Sequence, residues 1–221
     1  MNLTLVTDAT TDAEPLQVSD ITTFLVIDQS NATADLQGMI SAARLEAERE
    51  NGRELAQKQW KLVLDRFPTN THFWATFGAS VAGPYYGERP YNAYAPGDGR
   101  IQLLDPLVSV EAFTYKKSDG TTVTLTENTD YLVDVDKHPG ELCPPYGMQW
   151  PTDTLWPASP IQITFTAGFA PEQVPATIKN AIKLLISEWY ENRLPFSGVR
   201  FIAELPFSVR SAFQNDKLWK F

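Results

Sequence analysis

The residues that could support catalysis or metal binding are few in this sequence. Two histidines, His72 and His138, each lie in a segment that we read as a loop, and Cys143 is the one cysteine. A cysteine nucleophile needs a nearby histidine, and His138 alone is weak evidence for such a pair. No metal-ligand spacing surrounds Cys143, and HExxH, GxSxG, Walker and GxGxxG motifs are missing. We therefore expect no enzyme, no cofactor and no metal centre, and a hydrolase is the least favoured class.

An acidic run is the remaining candidate for binding a cation. Asp130, Asp134 and Asp136 differ by even numbers, so a strand would place them on one face, and Glu141 follows. The spacing and the glycine of an EF-hand loop are missing. We therefore favour a solvated strand face over a metal site.

Residues 68–99 are rich in glycine, proline and aromatic residues and show no clear period. Loops of this length are usually functional or disordered, and the aromatic content argues against plain disorder. The loop could pack on its own domain. It could instead anchor another protein, because aromatic residues dominate interface hot spots, or bind sugars by stacking of the rings. The candidate contact residues are Phe73, Trp74, Phe77, Tyr85, Tyr86 and Tyr91.

The C-terminal tail, residues 214–221, is a second candidate contact. Residues 208–213 before it could form one helical turn. The tail ends in Leu218, Trp219, Lys220 and Phe221, and so many apolar groups are costly to leave in water. We expect this tail to dock on a partner.

Charge and composition narrow the class of protein. The 221 residues carry a net charge of −9, and residues 1–43 contain six acids and no lysine or arginine. Such a chain is a poor candidate for binding nucleic acid, because it has few positive charges to neutralise the phosphates. An acidic surface could still line a passage through which DNA slides, because like charges repel. No run of about eighteen apolar residues occurs, and the N-terminus lacks the features of a secretory signal. We expect no membrane span and synthesis in a reducing cytoplasm.

Helical periodicity appears near both ends of the chain. The spacing predicts helices near 19–28, with Ser19 as N-cap, and at 33–51, with Arg44, Glu48 and Arg49 largely off the buried stripe. A third helix is predicted at 175–193, because Pro175 suits a first turn. Its apolar stripe is made by Ile178, Ala181, Ile182, Leu185, Ile186 and Trp189.

Strand periodicity appears in the middle of the chain. Alternation begins at Gln57, and the other predicted strands are 101–104, 109–116, 121–125, 131–134 and 161–167, with a hairpin turn at 118–120. This order predicts an α+β fold in which a small helical bundle carries an inserted β-rich subdomain at about 57–167. The expected domains are a helical core (14–56 and 170–213), the insertion (57–169, with the aromatic loop 68–99) and a docking tail (214–221).

Several motifs resemble one known family, the head–tail connector (adaptor or head-completion) proteins of long-tailed double-stranded DNA phages. The similar residues are Thr166-Ala167-Gly168-Phe169, Val174-Pro175, and a helix with Ile178, Ile182, Leu185 and the run Trp189-Tyr190-Glu191-Asn192-Arg193. The early helix from Ile40 to Arg53 also looks like the family. The resemblance covers about residues 14–67 and 101–213, while 68–99 and the last eight residues depart from it.

The resemblance implies a non-enzymatic virion protein of the phage neck. Family members form a ring, commonly of twelve subunits, between the portal protein and a stopper, tail-terminator or other neck or tail protein. DNA passes through the ring without sequence-specific binding. The alternative function that we keep open is that of a carbohydrate-binding or other structural virion module that uses the aromatic loop.

Overall fold

The computed structural model describes residues 2–26, 33–68, 99–191, 207–215 and 217. Helices α1–α4 span Val18–Leu25, Thr33–Asn51, Ala176–Glu191 and Phe207–Asn215. Strands β1–β8 span Asn2–Thr7, Lys58–Leu64, Ile101–Gln102, Leu107–Lys116, Thr122–Leu125, Leu132–Asp134, Glu141–Cys143 and Ile161–Ala167. The predicted α+β fold class is confirmed. Among these residues, no helix is both long and apolar enough to cross a lipid bilayer.

The chain divides into two compact units. We call the described residues of Met1–Thr7 and Gln59–Ala167 the β-rich unit, and those of Asp8–Lys58 and Gly168–Phe221 the helical unit. The N-terminal strand β1 belongs to the β-rich unit because it pairs with β2, a strand more than fifty positions later in the sequence.

The β-rich unit contains a five-stranded sheet in the order β1-β2-β8-β4-β5 and a three-stranded sheet in the order β3-β7-β6. The pairs β1–β2, β4–β8, β4–β5, β6–β7 and β3–β7 are antiparallel. Buried side chains alternate along β8, where Ile161, Ile163 and Phe165 face the core, as expected for a strand with one buried face.

The hairpin turn predicted at 118–120 joins β4 to β5. Gly120 has a φ of +89°, its N–H donates to the Lys117 carbonyl, and the Lys117 N–H donates to the Thr121 carbonyl. The Asp119 side chain accepts the Thr121 N–H at 2.8 Å. Glycine and aspartate therefore fix this turn, because glycine tolerates the positive φ and aspartate completes the local hydrogen bonds.

The helical unit packs the four helices around one core. Its largest buried apolar residues come from α1, α2, α3 and α4: Ile21, Leu36, Ile40, Ile178, Ile182, Ile186 and Phe213. Gly52 follows α2 with a φ of +77°, and its N–H donates to the Glu48 carbonyl, so the predicted end of this helix at residue 51 is confirmed.

Helix α4 extends beyond the single turn predicted at 208–213, and three boundaries of α1 and α3 also differ from the prediction. Helix α1 begins at Val18, because Asp20 reaches back to accept the Gln17 N–H at 2.9 Å, so Ser19 is a helical residue rather than the cap. The helix ends at Leu25, since Val26 is left-handed (φ +56°). Helix α3 begins at Ala176.

Pro175 lies just before α3, and its carbonyl accepts the Lys179 N–H at 3.1 Å. The proline therefore precedes the first helical turn instead of lying within it.

Two strands, β1 and β7, were not predicted. β7 (Glu141–Cys143) lies in a stretch rich in proline, yet β3 and β6 flank it on both sides. β7 has only three residues, and β1 pairs with a strand more than fifty positions away, so local periodicity gives little indication of either strand.

Candidate functional site

The helix that carries the family motif, α3, is a core element. Ile178, Ile182 and Leu185 are buried in the helical unit, and Trp189 and Tyr190 pack partly buried against the same core. Residues three and four apart lie on one face of an α-helix, which explains the buried stripe. The described part of the motif therefore stabilises the helical unit.

Gly168, the glycine of the Thr-Ala-Gly-Phe motif, permits a close crossing of two chain segments. Its φ is +125°, and a Cβ added there would lie 2.0 Å from the carbonyl oxygen of Ala56. The Phe169 N–H donates to the Glu54 carbonyl at 3.2 Å, and the Arg53 guanidinium lies 6.0 Å from the centre of the Phe169 ring. Glycine is required here because it alone combines this φ with the missing Cβ.

Arg44 lies at the centre of a buried ion-pair network, which corrects its predicted position off the buried stripe. Its side chain is 2% exposed; Nε donates to Glu14 at 2.8 Å, and Nη1 donates to both Glu48 oxygens at 3.0 and 3.1 Å. The exposed Asp8 carboxylate lies 3.7 Å from Nη2. Burial would lower the pKa of Arg44, but Glu48 and Glu14 outweigh it and raise that pKa above its ordinary value.

Lys58 extends the same network. Its Nζ donates to Glu48 at 2.7 Å and to Glu54 at 2.6 Å, and Glu48 also accepts the Leu55 N–H at 3.0 Å. The glutamates outnumber the cations Arg44 and Lys58 by three to two. Burial, followed by repulsion from Glu48, raises the pKa of Glu54 above its ordinary value.

The network fixes three segments of the helical unit to one another. Glu14 belongs to the chain before α1, and Arg44 and Glu48 belong to α2. Glu54 belongs to the connection after α2, which ends at Lys58, the first residue of β2. The sequence signal was present, since both Arg44/Glu48 and Glu54/Lys58 are four residues apart. Such spacing is also typical of exposed helix pairs, so it does not by itself predict burial.

Glu141 in β7, the last member of the acidic run, is a buried carboxylate of the β-rich unit rather than a solvated one. It is 5% exposed and accepts hydrogen bonds from Lys137 at 2.6 Å, Arg100 at 2.9 Å and Gln102 at 3.2 Å. Burial alone would raise its pKa, but these three donors lower it below the ordinary value. Glu141 is therefore a structural ion-pair partner.

His138 pairs with a buried carboxylate. Its Nδ1 lies 2.5 Å from Asp105 Oδ1, and the Asp105 side chain is 1% exposed while that of His138 is 53% exposed. Cys143 is a half-buried free thiol. Within the described residues, no group of three or more His, Cys, Asp or Glu side chains could hold a metal ion.

Phe67 and Gly99, which lie just before and just after segment 69–98, both contact Trp150 in the β-rich unit. The Phe67 ring stacks on Trp150, with ring centres 5.6 Å apart and planes at 10°, and the Trp150 indole N–H donates to the Gly99 carbonyl. Tyr115 packs edge-on against Phe67. The described residues on either side of segment 69–98 therefore lie beside the same buried tryptophan.

Most residues predicted to contact partners lie outside the described residues. They are Phe73, Trp74, Phe77, Tyr85, Tyr86 and Tyr91 of the aromatic loop, and Leu218, Trp219, Lys220 and Phe221 of the tail. Arg193, predicted as part of the helical core and family motif, also lies outside the described residues. Their roles remain predictions.

Large apolar side chains are nevertheless exposed on both units. The β-rich unit exposes Leu5, Val6, Val108, Leu132, Val135, Tyr146, Met148 and Trp156, and the helical unit exposes Phe24, Val26, Leu45 and Leu184. Scattered apolar residues are normal on a protein surface, whereas an exposed strand such as that of Leu5 and Val6 invites pairing.

Comparison with known proteins gives similarity at the level of fold. No protein-family model and no curated protein matches the chain. Three solved structures of gene transfer agent (GTA) particles match 100% of this chain, and the match covers 97% of each matched chain. Two are necks: that of an empty GTA particle computed with C6 symmetry (TM-score 0.70, 18% identity) and that of a native GTA particle computed with C12 symmetry (TM-score 0.65, 20% identity). The third is the virion of a native GTA particle (TM-score 0.67, 19% identity). The chain therefore has the fold of a protein found in gene transfer agent necks, which confirms the connector-type fold that its motifs predicted.

Proposed function

We propose that this protein is a non-enzymatic structural component of the neck of a phage-like virion. The observation that carries the proposal is the match of the whole chain to neck structures, at TM-scores of 0.65 to 0.70 with 97% of each matched chain covered. A match over both units is more informative than a match to one, because small α or β units recur in many unrelated proteins.

In this proposal the subunits form a ring between the portal protein and the tail. Two of the structurally similar chains come from necks computed with C6 and C12 symmetry, which supports a cyclic arrangement. We propose twelve copies in the ring. Subunits in a cyclic ring use head-to-tail contacts, so each copy must present two different lateral surfaces. The ring extends the DNA channel and gives a stopper, tail-terminator or other neck protein its platform.

The remaining contacts are assigned by residue chemistry. The tail residues Trp219 and Phe221 dock on the portal, and the aromatic loop 68–99 contacts a neighbouring subunit or the next ring. The acids of residues 1–43 or of 130–141, apart from the buried Glu14 and Glu141, face the channel, where like charge keeps DNA from adhering.

Imaging of the assembled protein tests the proposal. The purified chain, alone and co-expressed with the portal protein of the same virus, is examined by electron microscopy and by light scattering after size exclusion. We expect closed rings coaxial with the portal. A monomer that forms no ring with the portal and is missing from the neck of purified virions would overturn the proposal.

A further inference from the structure

β1 is the outermost strand of the five-stranded sheet. Along one side it pairs with β2, with Leu3 opposite Leu62 and Leu5 opposite Trp60, and within the described part of the chain it has no strand on its other side. In an antiparallel pair, alternate residues direct their N–H and C=O groups away from the partner strand. β1 therefore presents main-chain donors and acceptors along its outer edge.

The features that usually protect a sheet edge are largely missing from β1. Its sequence, Asn-Leu-Thr-Leu-Val-Thr, has no charge and no proline, and five of its six residues are exposed, among them Leu5 at 40% and Val6 at 50%. The one irregularity is a shift in register between Leu5 and Thr7. Natural proteins protect edges with charges, prolines, bulges or very short strands, and an unprotected edge of this kind pairs readily with another chain.

The opposite edge differs. β5 has only four residues, and the Thr126 N–H just beyond it is bonded to Asp130 at 2.8 Å within the same unit. A short edge that ends in an internal hydrogen bond offers few groups to a partner. Of the two edges of this sheet, β1 is the one open to a further strand.

Charge indicates which chain pairs there. Each copy carries a net charge of −9, so two copies repel each other over most surfaces and associate best where both are uncharged. β1 is such a surface, with six consecutive residues that do not titrate. A basic partner would instead be drawn to acidic surfaces such as the one that begins at Asp8.

We propose that β1 accepts an extended segment of the adjacent copy as a sixth strand of the sheet and so forms one lateral contact of the ring. This inference rests on the proposed function. Cyclic symmetry requires the neighbour to contribute a segment other than its own β1, because β1–β1 pairing would produce a two-fold dimer and stop the ring. Main-chain hydrogen bonds supply the contact, and the uncharged edge avoids repulsion between copies.

A lysine introduced at the edge tests the proposal. In the proposed ring, Val6→Lys places a charge in β1 where it pairs with the adjacent copy. In the monomer, the same position is exposed to solvent. We expect the protein concentration at which half of the subunits are in rings to rise about tenfold or more. The circular dichroism spectrum and the thermal unfolding of the monomer should stay as in the wild type. Leu45→Lys, at an apolar position of α2 with 52% exposure, is the matched control and should assemble normally.

Crosslinking supplies a second readout. Val6→Cys in a Cys143→Ser background, labelled with a maleimide that carries a benzophenone and irradiated after assembly, should join copies in the assembled ring, and peptide mapping should link position 6 to a segment other than β1. Links to a neighbour's position 6, or normal rings from both Val6→Lys and Leu45→Lys, would overturn the inference. Normal rings of Val6→Lys that fail to attach to the portal would overturn it as well, by assigning the edge to another protein.

The outcome for the wild type separates the two proposals. If the wild type forms no ring, the proposed function fails. If the wild type forms rings that Val6→Lys leaves unchanged, only the role of β1 fails.

Discussion

At the scale of single residues, the stability of the helical unit depends on two features that are unusual for a protein core. One is a buried network of charges around Arg44, and the other is a glycine, Gly168, packed against the backbone at Ala56. A buried ion pair contributes little net stability, but removal of one partner leaves an uncompensated charge. Both features therefore tolerate substitution poorly.

Gly168→Ala should lower the free energy of unfolding by about 3 kcal/mol or more, because the new Cβ meets the Ala56 carbonyl and the φ of +125° is strained for alanine. The control is Gly38→Ala, in helix α2 with open space around the glycine, which should raise stability by about 0.5–1 kcal/mol. Urea denaturation followed by circular dichroism measures both. Equal effects of the two changes would contradict this account.

Arg44→Met should lower the free energy of unfolding by about 3–5 kcal/mol, because Glu14 and Glu48 lose their cation inside the protein. Arg49→Met on the same helix is the control, since Arg49 is 70% exposed and its pairing with Glu46 lies at the surface. The two variants are compared by thermal and urea unfolding. A loss of similar size from both variants would show that burial of the network is unimportant.

Two buried glutamates should give opposite pH dependences. The folded-state pKa of Glu54 is raised, so its contribution is fully present below the unfolded value of about 4.5 and is lost as pH rises through the folded value. The folded-state pKa of Glu141 is lowered, so its contribution is present above about 4.5 and is lost as pH falls through the folded value.

Stability measured against pH for Glu54→Gln and Glu141→Gln tests these signs. Relative to the wild type, Glu54→Gln should gain stability as pH rises above about 4.5, whereas Glu141→Gln should regain wild-type stability as pH falls below it. Each variant serves as the control of the other. Parallel curves would show that the two environments do not differ as described.

At the scale of elements, helix α4 completes the helical core from the far end of the chain. Val209 and Phe213 are buried there, at 2% and 0% exposure, against a core shared with α2 and α3. A helix of nine residues is too short to be stable alone in water, so tertiary packing holds it.

Phe213→Ala should therefore lower the free energy of unfolding by about 3–5 kcal/mol, the usual cost of an emptied phenylalanine site in a core. Gln214→Ala, at an exposed position of the same helix, should change it by less than about 0.5 kcal/mol. Denaturation curves of both variants distinguish a packed helix from one that is merely adjacent. An unchanged midpoint for Phe213→Ala would place α4 outside the cooperative core.

At the scale of the whole molecule, the proposed assembly depends on surfaces that contact other chains. Deletion of residues 216–221 leaves Val209 and Phe213 in place, so we expect a wild-type midpoint of unfolding and normal rings that fail to attach to the portal. Co-sedimentation with portal complexes and electron microscopy measure attachment and ring formation separately. Attachment by the truncated protein would remove the tail from the portal contact.

The sequence by itself determined the α+β class, most strands and the helices, because apolar periodicity records which side of each element is buried. Its motifs also led to the connector-type fold, although Ile178, Ile182 and Leu185 lie in the core. Only the tertiary structure decided that Arg44 and Glu141 are buried, that β1 is the outer strand of the sheet, and that Gly168 lies against Ala56. These features depend on contacts between segments far apart in the chain, and local spacing cannot distinguish a buried charge pair from an exposed one or an edge strand from a central one.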